Sequence, residues 1–291
     1  MSGNPEMLKR VEAWAGAAVV DARPLGGGCI ANAQQLRLAS GRSFLLKSGV
    51  AHPEMLLTEA NGLRELARAK ALRVPEVHLQ EAEFLLLEFI EPGKPGSDFF
   101  ERFGRAFAEL HRFQAAEFGF YEDNFIGATP QQNRPTPHTA TNWPAFYYEH
   151  RLRFQYRLAE RNGRLSDALR RDFRPLEANI EQILAGSEEP PCLLHGDLWS
   201  GNFLVDEGGN ACLIDPAVYY GHREADLAMT RLFGGFGPAF YEGYEEEWPL
   251  APGSEERLAI YELYHLLNHL NLFGRGYRGA CVERMRYLVD G

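Results

Sequence analysis

With 291 residues, 45% hydrophobic and 24% charged, the chain has a globular composition and enough length for one large core or two lobes. A formal net charge of −10 and a pI near 5.5 argue against a nucleic-acid partner, which calls for a basic face. No apolar run approaches the ~20 residues of a membrane span, residues 1–10 lack signal-peptide character, and four scattered cysteines fit neither zinc nor disulfide spacing. A cytoplasmic location and no membrane partner are therefore expected.

Residues 5–16 have apolar positions at helical spacing, with Pro5 suited to a first turn. A strand over 17–25 then runs into Gly26-Gly27-Gly28-Cys29-Ile30, where missing Cβ atoms would let backbone N–H groups approach phosphate oxygens. Strands are predicted over 34–38 and 43–47, the second ending on Lys47, one of only four lysines. A helix over 53–70 offers Glu59 as the carboxylate that would aim Lys47, as a strand lysine and a following helix glutamate do in kinase-like folds. Strands over 75–80 and 83–90 lead to the break Glu91-Pro92-Gly93. Residues 88–93 thus read as a hinge, with adenine expected against backbone groups of Glu88, Phe89 and Ile90 and the glutamate side chains facing water. The expected organisation is an N-terminal lobe over 1–91 and a C-terminal lobe over 92–291.

A helix over 97–116, capped by Ser97, buries Phe103, Phe107 and a packed His111. Residues 118–142 lack any period and read as an ordered flap. Helices follow over 144–160 and 166–184, where many arginines, Arg151 among them, read as a solvated face. The run Cys192-Leu193-Leu194 delivers the chain to His195-Gly196-Asp197-Leu198-Trp199-Ser200-Gly201-Asn202, and a hairpin turn at 206–210 precedes Ile214-Asp215-Pro216. Helices over 222–233, 238–247, 254–273 and 277–289 complete a mostly helical C-terminal half.

An aspartate, an asparagine five residues later and a second aspartate thirteen beyond that match the spacing of phosphoryl-transfer sites. Asp197 would orient and accept the proton of a hydroxyl, while Asn202 and Asp215 would supply hard oxygen ligands to Mg²⁺ on ATP. Each element is weak alone; the ordered set of glycine loop, lysine, glutamate, H-G-D-x₄-N and I-D-P is specific. Absence of H-R-D, D-F-G and A-P-E points away from a regulated protein kinase.

At this point the chain resembles the fructosamine-3-kinase (ketosamine-3-kinase) family, in the aminoglycoside-phosphotransferase-like branch of the protein-kinase-like superfamily. The resemblance covers nearly the whole length. It rests on Gly26-Gly27-Gly28-Cys29-Ile30, Asp123-Asn124-Phe125-Ile126-Gly127 with Thr129-Pro130-Gln131, the 195–202 motif, Ile214-Asp215-Pro216-Ala217-Val218, and the helix around His265 and Asn268. It implies an α+β, bilobal kinase-like fold, a small lobe of antiparallel sheet plus helix and a larger helical lobe. It further implies ATP- and Mg²⁺-dependent phosphorylation of the sugar O3 of ribulosamine or fructosamine adducts on lysine, ending in protein deglycation. Glycated lysine or glycated protein would be the partner. Trp199, which separates this family from aminoglycoside and choline kinases, becomes a substrate platform, with His265 or Asn268 as further substrate contacts. Cys29 matches a cysteine that the family can use in redox-linked dimerisation, so a monomer and a redox-linked homodimer both stay open. The competing readings are an aminoglycoside or choline kinase, with Glu242, Glu245, Glu246 and Glu247 as an acidic rim, and an inactive kinase-like binding module. Retention of Lys47, Asp197, Asn202 and Asp215 speaks against the module.

Overall fold

The computed structural model describes residues 5–26, 31–186 and 188–290. Helix α1 (Pro5–Ala15) leads into β1 (Val19–Pro24), β2 (Asn32–Leu38) and β3 (Ser43–Ser48); α2 (Glu54–Ala69) separates these from β4 (Val77–Gln80) and β5 (Phe84–Glu88). The five strands form one antiparallel sheet in the order β1-β2-β3-β5-β4. Strand alternation explains how its two faces are covered. Leu36, Leu38, Phe44, Leu46, Phe84 and Leu86 pack with Val11 of α1, whereas Leu85 and Leu87 pack with Leu56, Ala60 and Leu63 of α2. The unbroken apolar run of β5 follows from its being buried on both sides.

Helix α3 (Phe99–His111) is shorter than the sequence suggests. Asp98 rather than Ser97 occupies its N-cap, and residues 113–115 leave the helix to bond beside β8 (Cys192–Leu194). There Leu193 N–H donates to Phe113 C=O at 2.8 Å and Ala115 N–H to Pro191 C=O at 3.0 Å. Within the aperiodic 118–142 stretch lies a hairpin of β6 (Asn124–Ile126) and β7 (Thr129–Gln131). Next come α4 (Trp143–Tyr147), a π-helical turn (Tyr148–Leu152), α5 (Arg153–Arg161) and α6 (Asp167–Ile183), the last capped by Ser166. Strand β8 pairs with β11 (Tyr219–Gly221), and β9 (Phe203–Val205) with β10 (Ala211–Leu213). Helices α7 (Glu224–Leu232), α8 (Pro238–Glu247), α9 (Ser254–Phe273) and α10 (Arg278–Asp290) close the order. Among the described residues no helix is long and apolar enough to cross a membrane.

Arg151 departs from the solvated-face expectation. It is fully buried, lies 3.9 Å from the Tyr219 ring centroid, and donates to Asn133 Oδ1 at 2.7 Å. An aromatic face and a side-chain acceptor replace the water that a buried guanidinium loses. It lies in the π-helical turn, where Tyr148, His150 and Leu152 are buried with it.

Helices α3 and α8 approach until side chains have no room at two positions. A Cβ on Gly104 would stand 1.9 Å from the Phe240 carbonyl oxygen, and one on Gly243 would stand 2.3 Å from that of Glu101. Backbone atoms cannot step aside, so Gly104→Ala is expected to destabilise the fold by about 1–3 kcal/mol through overpacking. Urea unfolding checks this; an unchanged midpoint would contradict the packing described.

Candidate active site

Strand β8 ends at His195, and the loop that follows is held from behind by Asp226 of α7. His195 N–H donates to Asp226 Oδ2 at 2.7 Å and Gly196 N–H to Asp226 Oδ1 at 2.8 Å. His111 Nε2 lies 3.2 Å from the same carboxylate and His111 Nδ1 lies 2.7 Å from the Tyr244 hydroxyl. Burial opposes ionisation of Asp226, but His111, His195 and the Gly196 N–H together hold it below the usual carboxylate range.

The His195 ring braces the loop from inside. Its Nε2 is 3.0 Å from Ile214 C=O and its Nδ1 is 3.3 Å from the Asp197 N–H. Those partners require an Nε2–H donor and an Nδ1 acceptor, the neutral imidazole, and burial lowers its pKa in the same direction. Gly196 has φ +82°, and a Cβ there would sit 2.0 Å from the Ala217 carbonyl oxygen. Only glycine meets both demands. Ala217 N–H in turn donates to His195 C=O at 2.8 Å, which ties the loop to the segment after Asp215.

Asn202 Nδ2 donates to the Asp197 C=O at 2.8 Å and approaches its Oδ2 at 3.3 Å. Its amide oxygen therefore stays available as an acceptor or metal donor. Burial, then the charges of Asp215 and Asp226, push the Asp197 carboxyl well above its ordinary value, partly countered by Asn202. Asp215 adopts φ +54° and leaves its side chain 43% exposed. Lys47 Nζ bonds Glu59 Oε1 at 2.6 Å and also contacts Asp215 Oδ1. Burial disfavours the ammonium, yet the charges of Glu59 and Asp215 outweigh it and raise the Lys47 pKa. Among the described residues no group of three or more His, Cys, Asp or Glu could hold a metal ion alone.

Trp199 is 39% exposed, and its ring lies over Gly201, where a Cβ would fall 2.4 Å from the indole. Gly26 is an exposed bend; Gly27, Gly28, Cys29 and Ile30 lie outside the described residues. Glu88 ends β5, with Phe89 and Ile90 beyond it in irregular backbone, and Ile90 is buried. The Glu88 side chain does not simply face water: its Oε1 accepts from Arg73 Nη2 at 2.7 Å, while Arg73 Nη1 reaches Asp206 at 2.8 Å and Glu207 at 2.9 Å. His265 and Asn268 are buried on α9. Asn268 Oδ1 accepts from Gln155 of α5 at 3.1 Å, a bond across the seam between α5 and α9. Burial brings the His265 pKa down to about 3, so the ring is neutral. The Cys192, Cys212 and Cys281 thiols are likewise buried and pushed up to about 12.

Sequence reasoning missed Asp226, Arg73 and the buried role of Arg151. For Asp226 the one available signal is an acid inside the apolar run Ala225-Asp226-Leu227-Ala228-Met229. A buried carboxylate must have donors, but the chain alone does not say which.

A sheet lysine ion-paired to a helix glutamate, facing a His-Gly-Asp loop and a left-handed aspartate, defines a phosphotransferase of the protein-kinase-like fold. A thermostable mutant of an aminoglycoside phosphotransferase shares that fold, with TM-score 0.66 and 17% identity over 98% of each chain. The chain belongs to the fructosamine kinase family, whose model matches residues 6–290. It is 40% identical over 266 residues to the chloroplastic protein-ribulosamine 3-kinase of Oryza sativa subsp. indica, covering 89% of this chain and 76% of that one. A crystal structure named as a candidate fructosamine-3-kinase, from Thermobifida fusca, superimposes with TM-score 0.88 at 34% identity, covering 99% of this chain and 100% of that one. Membership in a kinase family carries nucleotide use with it.

Replacing Asp226 by Asn puts an NH₂ group against one of the two backbone donors. That leaves a buried N–H unpaired, which costs about 1–3 kcal/mol. Asp226→Asn is expected to lower both melting temperature and turnover; unchanged values of both in thermal unfolding and rate assays would refute the anchoring role.

Proposed function

We propose that the protein is an ATP-dependent ketosamine 3-kinase that phosphorylates the sugar O3 of ribulosamine or fructosamine adducts on lysine, including glycated protein. Residues 1–91 act as the nucleotide lobe, 88–93 as the hinge and 92–291 as the catalytic and substrate lobe. What carries the reading is the convergence of Lys47, Glu59, Asp197, Asn202 and Asp215 beside an exposed Trp199. The relative named protein-ribulosamine 3-kinase supports the choice of acceptor.

In this reading Lys47, aimed by Glu59, binds the α- and β-phosphates, and Gly26, Gly27, Gly28, Cys29 and Ile30 are the glycine-loop residues that the sequence assigns to ATP binding. Backbone groups at Glu88 and Ile90 hold adenine, with Phe89 between them. The free Asn202 amide oxygen and the exposed Asp215 carboxylate are hard donors fitted to Mg²⁺, which when bound neutralises phosphate charge. Asp197 orients the O3 hydroxyl and accepts its proton, a contribution of about 10²–10⁴-fold. Trp199 offers its indole face to the ketosamine ammonium, worth about 0.5–2 kcal/mol. The 3-phosphate so formed is unstable and sheds the sugar, which is deglycation as the family resemblance implies.

ADP release measured with ribulose-lysine, fructose-lysine, kanamycin and choline tests the assignment. Turnover with a ketosamine, lost in Asp197→Asn, is expected; turnover with kanamycin or choline alone would sink it. Asp197 must be ionised to act, and its pKa is raised. The acidic limb of the kcat/KM profile should therefore lie above the ordinary carboxylate range, with activity rising as pH climbs through it. A limb inside the ordinary range would exclude Asp197 as the group observed. Trp199→Ala is expected to raise KM for the cationic ketosamine about two- to thirtyfold with the nucleotide KM unchanged; an unaltered ketosamine KM removes the platform role.

A further inference from the structure

Glu59 can brace Lys47 only while α2 keeps one position over the catalytic segment. Four separate contacts, all to residues beyond the hinge, hold the helix there. Asn61 Nδ2 donates to Glu122 Oε1 at 2.9 Å and Oε2 at 3.2 Å. The Tyr220 hydroxyl of β11 donates to the buried Glu65 Oε1 at 2.6 Å. His52, just before the helix, stacks on Phe125 of β6 with ring centroids 5.8 Å apart and planes 16° apart. At Gly62 the helix backbone comes so close to the segment after Asp215 that a Cβ would stand 3.3 Å from Pro216 Cγ and 3.2 Å from Val218 Cγ2.

The hairpin that supplies Phe125 and begins two residues after Glu122 grips the catalytic segment as well. Asn124 Nδ2 donates to Val218 C=O at 2.8 Å. Gln131 Nε2 donates to Ala217 C=O at 3.0 Å and to Asn124 Oδ1 at 2.9 Å, while Gln131 Oε1 accepts from the Tyr264 hydroxyl at 2.6 Å. Asn133 Nδ2 adds a bond to Asn124 Oδ1 at 2.8 Å, and its own Oδ1 is held by Arg151. Asn124, Gln131 and Asn133 are all buried. Hydrogen bonds among buried polar groups in a low-dielectric interior make a stiff network, because each broken bond leaves a desolvated group unpaired.

We propose that the β6–β7 hairpin and Tyr220 form a bracket that keeps α2 docked, making Glu122, Gln131 and Tyr220 positioning residues for the Lys47–Glu59–Asp215 cluster. Kinases governed by phosphorylation order an activation loop to bring the corresponding lysine and glutamate together. Here fixed polar contacts from the large lobe perform that alignment continuously. The inference rests on the reading that Lys47 binds nucleotide phosphates.

The test uses the full chain with Glu122→Ala, Tyr220→Phe, the double variant and Glu122→Gln. Glu122 and Asn61 are only half buried and Phe preserves the Tyr220 ring, so folding is expected to survive; thermal unfolding checks it. Binding of a fluorescent ADP analogue without acceptor, and the KM values for MgATP and ketosamine, are then measured. Glu122→Ala and Tyr220→Phe are each expected to weaken nucleotide binding and raise the MgATP KM about three- to tenfold. The ketosamine KM should stay unchanged, and hydrogen exchange over residues 54–69 should quicken. Glu122→Gln retains an acceptor for Asn61 and is expected to restore wild-type values. Unchanged nucleotide binding in the folded double variant overturns the bracket, as do equal rises in both KM values. A wild-type protein that binds no nucleotide overturns the functional reading, and the bracket falls with it.

Discussion

The carboxylate of Asp226 accepting the backbone N–H groups of His195 and Gly196 is the constraint on which the rest of the site depends. A buried carboxylate is tolerable only if its lone pairs are filled, and two of the donors here are main-chain groups that cannot rotate away. Fixing those two amides fixes the turn, and the turn aims Asp197. From there the order spreads outward. Gly196 lies against the Ala217 carbonyl, Ala217 bonds back to His195, and the His195 ring reaches Ile214. The two halves of the motif, thirteen residues apart between Asn202 and Asp215, thus become one rigid unit.

Electrostatically this unit is unfinished. Asp197, Asp215 and Asp226 lie close enough for the latter two to raise the first, and Lys47 is the cation paired with Asp215 and Glu59. Desolvation gives each of these interactions more weight than it has in water. The same excess of oxygen donors suits a site whose proposed work is to gather phosphates and a divalent cation around a hydroxyl. Neutral His195 is part of the arrangement, because its Nε2–H donates to Ile214 C=O while its Nδ1 accepts from the Asp197 N–H.

Two joints connect the sheet to the helical part. At one end Arg73 links Glu88, where β5 ends, to Asp206 and Glu207 of the β9–β10 turn, and Gly93 N–H donates to Val205 C=O at 2.9 Å. A Cβ on Gly93 would lie 1.9 Å from the Asp206 carbonyl oxygen, which explains a glycine at this position. At the other end α2 rests on Pro216 and Val218 and is held by the β6–β7 hairpin. The first joint is built of charges, with Asp206 buried and Arg73, Glu88 and Glu207 partly open to water that screens them; the second combines the buried Tyr220–Glu65 bond with half-buried contacts at Asn61 and Glu122.

Much of this was legible in the residues themselves. Periodicity marked every strand of the five-stranded sheet to within a few residues, because a strand with one or two covered faces writes its burial into its alternation. Spacing alone related Lys47 to Glu59 and Asp197 to Asn202 and Asp215, since those distances along the chain are set by strand, turn and helix geometry. Local rules also explained Gly196, where a tight turn excludes other side chains. What the sequence could not disclose were partners brought from afar: Asp226 beneath the loop, Arg151 buried under the flap, Asn268 turned into the α5–α9 seam, and Gln131 reaching Ala217. Those assignments depend on which polar groups lose their water on folding and which donors stand ready to replace it. That choice is made by the packing of elements distant in sequence, so only the tertiary structure decides it.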